Sequence, residues 1–557
     1  KSETYGHNFG TNLEWTKNNT KIYFYPSFSN SSSTNSSISD SKTYSDLGDL
    51  RNQMNQTSNG KSSSNTFNTL LSLNQKFKNK SYLDFNSSIS IGKTDRNSFI
   101  NSTTLYTNDT IADIYRNINE KNISKNNQYN FDVKYTYPIT DSLKIAVGSA
   151  YNLTDSETNN RTWNYNDVTG EYDNLNNDLT RFYSTKLNEF NPYAQLLLNK
   201  NKISATVRFG ANIYNQQNFG TFKADDYSST QNKTLPDISG NIRYQNGNNS
   251  LSLMYNYQTS LASTSQVLPI LDETDPLDVF KGNPDLDPNK AHRINLMFSN
   301  FDRKTRQGFN ANLGYTYNES NIVNYTEMDY SIYKRTTTYE NVKGNYRLNG
   351  NFFFNKQYQK GINKFRVNVG MSASYALTQG FRDAVKYEQY NTTLSPTLRL
   401  NWDYGDYLTI SPSYRLNFTN SKYVNYSIDN QNNITHNFGI KTISTFPKNL
   451  TWTNDFSYNY NSRMAAGFKR DFFLWNTSLM YRFFDDKLEA GVKVYDLLNQ
   501  NNSYTRTITA ESTIDQRNNI LTRFVMFSLT FNLNQFGGKS TKGGDGDRPR
   551  EGGMRRM

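Results

Sequence analysis

The groups in this chain that could do chemistry are carboxylates and guanidinium groups, because it has no cysteine and only three histidines, His7, His292 and His436. Without cysteine there is no thiol nucleophile, no thiolate metal ligand and no disulfide framework. The histidines are too far apart in sequence to suggest one site, and no His-Glu-x-x-His, Gly-x-Ser-x-Gly or phosphate-loop pattern occurs. The expectation is therefore no catalytic residue, no enzyme activity and no cofactor. The densest chemistry lies in LPILDETDPLDVFKGNPDLDP, residues 268–288, which holds Asp272, Glu273, Asp275, Asp278, Asp285 and Asp287. Oxygen ligands at this density suit Ca²⁺, yet the spacing is not that of an EF-hand loop, and Asp beside Pro or Gly is ordinary turn chemistry. No metal is assigned. Asp272, Asp275, Asp278, Asp285 and Asp287 are instead candidate ligand contacts through their place on an exposed loop.

A second set is basic. Arg208, Arg243, Arg347, Arg366, Arg399 and Arg415 recur at polar positions of alternating segments, with Lys134, Lys144, Arg293, Lys343, Lys441, Arg482 and Lys493, against fewer acids, chiefly Asp84, Asp132, Glu189, Asp455 and Glu489. Such a face would attract anionic solutes or dock an acidic surface, or its bases would pair with neighbouring acids. The formal net charge of +12 does not indicate nucleic acid, because the bases are scattered and no binding motif accompanies them.

These residues need strands to position them. In residues 187–214, LNEFNPYAQLLLN and KISATVRFGANIY are two arms with apolar side chains at every second position, joined by a short polar turn at 199–202. Pro192, Ala194, Leu196 and Leu198 share one face with Ile203, Ala205, Val207, Phe209, Ala211 and Ile213. Similar pairs follow along the chain, with short turns inside pairs and longer connections between them. Residues 30–65 read as a Ser/Asn/Thr-rich loop, 93–127 as a loop with one or two helical turns at 111–118, and 154–186 as a further loop. Pro26 calls for a bulge or strand end, because it cannot donate to a ladder.

Only 35% of the chain is hydrophobic, while 41 Tyr and 35 Phe make it rich in aromatics. A soluble β-core of this length would need more Val, Ile and Leu. A closed barrel with lipid outside and water inside needs only one thin apolar face, edged by aromatic girdles. No apolar run is long enough for a membrane-spanning helix. The expected fold is thus all-β, a transmembrane antiparallel β-barrel in a cell outer membrane. Ten hairpins and a final strand give twenty-one strands. Bacterial barrels have an even number, so a twenty-second strand is expected N-terminal to this chain.

Two stretches carry a family resemblance. GNPDLDP (282–288) resembles the GNP-x-L-x-P signature, and VYDLLNQNNSYTR (494–506) the D-L-L/F-N signature, of TonB-dependent outer-membrane receptors; the last strand, ending at Phe536, resembles their aromatic terminus. The resemblance spans residues 8–536 and implies energised uptake of a scarce solute, siderophore-like, glycan or peptide, by a barrel that performs no chemistry. It also implies an N-terminal plug domain and a TonB box, both expected upstream of this chain, with outer-membrane lipid, the TonB complex and the assembly machinery as partners. The alternatives are an adhesion or assembly scaffold and an open porin. Residues 1–7 read as the end of an extracellular loop, and the Gly-rich tail 537–557 as a disordered periplasmic segment.

Overall fold

The computed structural model describes residues 2–531, except 46, 109–110, 224, 332, 427–429, 465–468, 485–486, 502–503, 509–512 and 519–521, together with the backbone of 535–536 and 539–540. Nearly all of the tail 537–557 lies outside the described residues. One antiparallel sheet of 26 strand segments dominates. Five of those segments do not count as separate wall strands. Leu13–Lys17 continues Ser2–Gly10, and Glu171–Leu175, Leu271–Asp275, Asp278–Lys281 and Lys334–Val342 are outgrowths of the connections. The remaining twenty-one described strands form the wall, each hydrogen-bonded to its neighbours in sequence, as the hairpin reading requires. Among the described residues no ladder joins the first wall strand to the last, Phe524–Phe531, which pairs with Leu488–Tyr495.

The register confirms the two faces. Leu198, Leu196 and Ala194 lie opposite Ala205, Val207 and Phe209, so the apolar positions of both arms share one side, and Arg208 falls opposite Gln195 on the other. On the apolar side the side chains stand bare: Phe209 is 60% exposed and Leu196 47%. The one buried apolar cluster among the described residues is small, formed by Phe222, Ala262, Val267, Leu268, Ile270 and Leu286. A contiguous apolar surface with so little core behind it suits lipid and not water. Its edges are aromatic. Phe365 stacks parallel to Trp402 at 6.2 Å near the short turns, and Tyr375 stacks on Tyr390 at 6.3 Å further up the same two strands. Ten residues separate Phe365 from Tyr375 within Asn363–Arg382. At about 3.3 Å per residue and a tilt of about 40°, that is an apolar band of about 25 Å.

Several sequence expectations are corrected here. The polar stretch 30–65 is not a loop. Thr20–Tyr44 and Leu50–Lys76 pair along their full lengths. Tyr82–Tyr106 and Ile114–Pro138 likewise consume the stretch 93–127, and 114–118 is strand and not helix. Leu143–Asn166, Glu171–Leu175 and Arg181–Lys200 fill 154–186. The reason is cooperative: once the membrane-spanning segments fix the register, each further backbone pair joins an existing ladder, and Ser, Thr and Asn follow although they are poor nuclei. The first strand starts at Ser2, so 2–7 are strand and not loop end. That strand breaks at 11–12, opposite Pro26, where Thr11 N–H still donates to the Pro26 carbonyl at 3.2 Å. The accommodation expected at Pro26 is thus a ladder break in its neighbour. Of the last wall strand, read as 521–536, Phe524–Phe531 lies in the wall, while the backbone of Gln535–Phe536 pairs with Lys539–Ser540 in a separate small sheet.

The polar face is concave. Arg116, on Ile114–Pro138, reaches the carbonyls of Glu273 and Thr274 in the connection that follows the tenth wall strand, and Arg51 lies over the Tyr333 ring, 5.5 Å away, beyond the twelfth.

Candidate functional site

Residues 261–288 leave the wall after Asn249–Ser260 and fold back against the polar face. A helical turn at Thr264–Val267 begins them, with Ser263 and Gln266 closing a capping box. Val267, Leu268 and Ile270 then bury themselves against Phe222 and Tyr183 of the wall. Gly220 and Gly282 make this possible. A Cβ on Gly220 would lie 2.7 Å from Ile270, and one on Gly282 would collide with the Leu268 carbonyl. The glycine of GNPDLDP is therefore a packing requirement.

The five candidate aspartates are placed individually. Asp272 pairs with Arg181, whose side chain is 7% exposed and which also donates to Thr274 Oγ1 at 2.6 Å. Asp278 holds Arg335 through both carboxylate oxygens, and Glu273 receives Lys334 at 3.3 Å. Asp287 lies 3.7 Å from Lys233, Asp275 accepts the Leu277 N–H at 2.9 Å, and Asp285 is exposed. Asp272, Glu273, Asp278 and Asp287 thus diverge toward separate bases, Arg181 and Lys233 on the wall and Lys334 and Arg335 on the outgrowth Lys334–Val342, and pin the loop. Burial of Tyr183 and Tyr339 beside this loop raises both phenol pKa values above the ordinary one. The bases that pin it, Arg116, Arg181, Lys334 and Arg335, were not identified in the sequence, and no local pattern marks them, since their partners are 57 to 158 residues away.

The arginine set divides. Arg208 donates to Asp237 at 2.8 Å and to Asn191, and its guanidinium stacks 3.6 Å from the centre of the Tyr193 ring. Tyr193 lies over Gly148, where a Cβ would come within 2.6 Å of the ring, and its hydroxyl donates to Asp132 at 2.9 Å. Asp84 and Lys134 meet next to it at 3.2 Å. This network crosses the wall and serves as internal bracing. Arg243 donates to Ser250 at 3.1 Å, and Arg366 to Asp403 at 2.8 Å. Arg347, Arg399 and Arg415 are exposed on the polar face, and none has an acid within ion-pair distance among the described residues. Arg366, Arg399 and Arg415 come together at a cavity of about 490 Å³; Arg208, Arg243 and Arg347 lie elsewhere.

On the opposite, apolar face, two of the three histidines sit in the aromatic edge. His292 bonds Glu319 at 2.7 Å and Tyr255 at 3.0 Å, and His436 bonds Tyr414 at 2.8 Å.

A family model described as outer membrane protein beta-barrel family matches residues 75–531. No curated protein matches the sequence. Solved structures similar to the chain include the pyoverdine outer membrane receptor FpvA of Pseudomonas aeruginosa bound to pyoverdine, at 10% identity over 95% of this chain and 77% of that one, with a TM-score of 0.44. The copper transporter OprC matches at 9% identity over 95% and 81%, also at 0.44. The siderophore receptor PiuA of Acinetobacter baumannii matches at 10% over 95% and 81%, at 0.38. Pyoverdine and copper belong to those proteins and are not carried over to this chain.

Proposed function

Because the chain belongs to the outer membrane protein β-barrel family and so resides in the outer membrane, we propose that it forms the barrel of a TonB-dependent receptor that takes up a scarce solute with energy supplied from the periplasmic side. The observation that carries this reading is the loop containing GNPDLDP, folded onto the concave polar face and fastened there by ion pairs to Arg181 and Lys233 of the wall and to Lys334 and Arg335 of the outgrowth Lys334–Val342. A loop so anchored narrows the interior, which suits a selective receptor better than an open porin. The barrel supplies a path and a frame; it makes and breaks no bonds. TonB is the partner this reading requires, and the solute is unassigned among siderophore-like, glycan and peptide classes.

The test is uptake in cells. Deleting the gene should abolish growth on one limiting nutrient, and removal of TonB should reproduce the defect. Uptake that persists without TonB sinks the energised reading, and a stable open conductance from the purified protein in planar bilayers would favour a passive pore.

A further inference from the structure

The polar face carries a cavity whose positive charge the wall does not neutralise. Arg366, Arg399 and Arg415 stand on the successive strands Asn363–Arg382, Val385–Tyr404 and Leu408–Val424. Arg366 faces Asn401, two residues from Arg399, and Arg399 faces Ser413, two residues from Arg415. The three therefore form a diagonal with neighbours about 7–8 Å apart at the backbone. They line a cavity of about 490 Å³ together with Asn368, Thr397 and Ser413, which add neutral hydrogen-bonding groups, and no carboxylate lines it.

Several other bases on this face are met by acid. Lys134 pairs with Asp84 and Arg208 with Asp237, while Lys441 stands opposite Asp455 and Arg482 opposite Glu489 in the ladders. At the diagonal only Asp403 answers, and it is already shared between Arg366, at 2.8 Å, and the Thr409 hydroxyl, at 2.9 Å. The Nε of Arg366 is buried without a hydrogen-bond partner. Arg399 and Arg415 have no acid partner among the described residues. Three like charges in one concavity repel one another, and guanidinium forks match carboxylate and phosphate oxygens in pairs.

We propose that this cavity is a subsite for a small polyanion carrying at least two carboxylate or phosphate groups, which bridges Arg399 and Arg415 and reaches the exposed part of the Arg366 side chain. Arg366 lies three residues into its strand from the short turn, so the subsite is deep in the barrel and not at the outer loops. The proposal rests on the reading of this chain as a solute-uptake barrel, and it gives the transported solute a chemical class.

Isothermal titration of the full chain in neutral detergent at low ionic strength tests it, with tricarballylate as the carboxylate probe and inorganic pyrophosphate as the phosphate probe. At least one probe should bind saturably, and the stronger identifies the preferred oxyanion. The double variant Arg399→Gln with Arg415→Gln should weaken that binding at least ~10-fold, as loss of a charged hydrogen bond implies. Arg347→Gln, on the same face but outside the cavity, should leave it unchanged. Folding is followed by heat-dependent gel mobility, and Arg399→Lys, which keeps the charge but loses the fork, gives an intermediate loss should the double variant not fold. The proposal is overturned if the folded wild type binds neither probe, or if Arg347→Gln weakens binding as much as the cavity variants do. Binding without TonB-dependent uptake would remove the transport reading and keep the subsite; uptake without arginine-dependent binding would do the reverse.

Discussion

Arg181 shows what a single side chain does in this fold. Its guanidinium is nearly enclosed, and Asp272 supplies the charge that makes the enclosure tolerable. Replacing Asp272 with Ala should loosen the docking of 264–286 by about 1.5–3 kcal/mol, the range for a hydrogen bond to a charged group. Hydrogen exchange of that segment should accelerate ~10-fold or more while the wall stays protected; Asp285→Ala, at an exposed position, should leave it unchanged. Unaltered exchange in Asp272→Ala would contradict the pinning role. The aspartates themselves were legible in the sequence as a dense acidic loop. Their purpose was not, because Arg181 and Arg335 sit in strands whose own periodicity gives no hint of a partner. The same holds for the arginine diagonal. Each of Arg366, Arg399 and Arg415 could be placed on the polar face from alternation, but their convergence depends on register between strands, which one-dimensional periodicity does not contain.

At the scale of the strand, the alternation of Ile203, Ala205, Val207, Phe209, Ala211 and Ile213 was enough to fix which side chains meet lipid. It fixed strand length poorly. The arm read as 203–214 is Ile203–Phe222, because Gln216 and Asn218 continue the ladder without an apolar signal. Within the membrane the apolar face is maintained by the cost of charge there; above it the backbone ladder alone sustains the strand, and composition goes silent. Phe209→Arg should therefore destabilise the barrel by about 2–4 kcal/mol in lipid vesicles, whereas Thr206→Arg, on the polar face, should change stability little. Urea titration of folding into vesicles measures both. Equal effects would mean that the two faces are not distinct.

The whole molecule is organised inside out. A small apolar cluster lies behind one infolded loop, and the larger apolar surface is turned outward between aromatic edges. The count of twenty-one described wall strands follows from the alternation of short and long connections, a global regularity visible in the sequence even though much of the long connections is strand. The order of the wall follows because every strand pairs with its neighbours in sequence, the simplest topology available to the chain. The infolding of 261–288 had no such signal, since it depends on Leu268 and Ile270 finding Phe222 and Tyr183 across the concave face.

The absence of cysteine makes the inside-out wall directly measurable, because any introduced cysteine is unique. Spin labels placed one at a time at positions 203–213, in the protein folded into lipid vesicles, report contact with a lipid-soluble relaxant or a water-soluble one. The structure predicts a strict two-residue alternation, with the odd positions from Ile203 through Phe209 to Ile213 accessible from lipid and the even positions, including Arg208, accessible from water. Uniform accessibility along the segment, or the opposite phase, would contradict it.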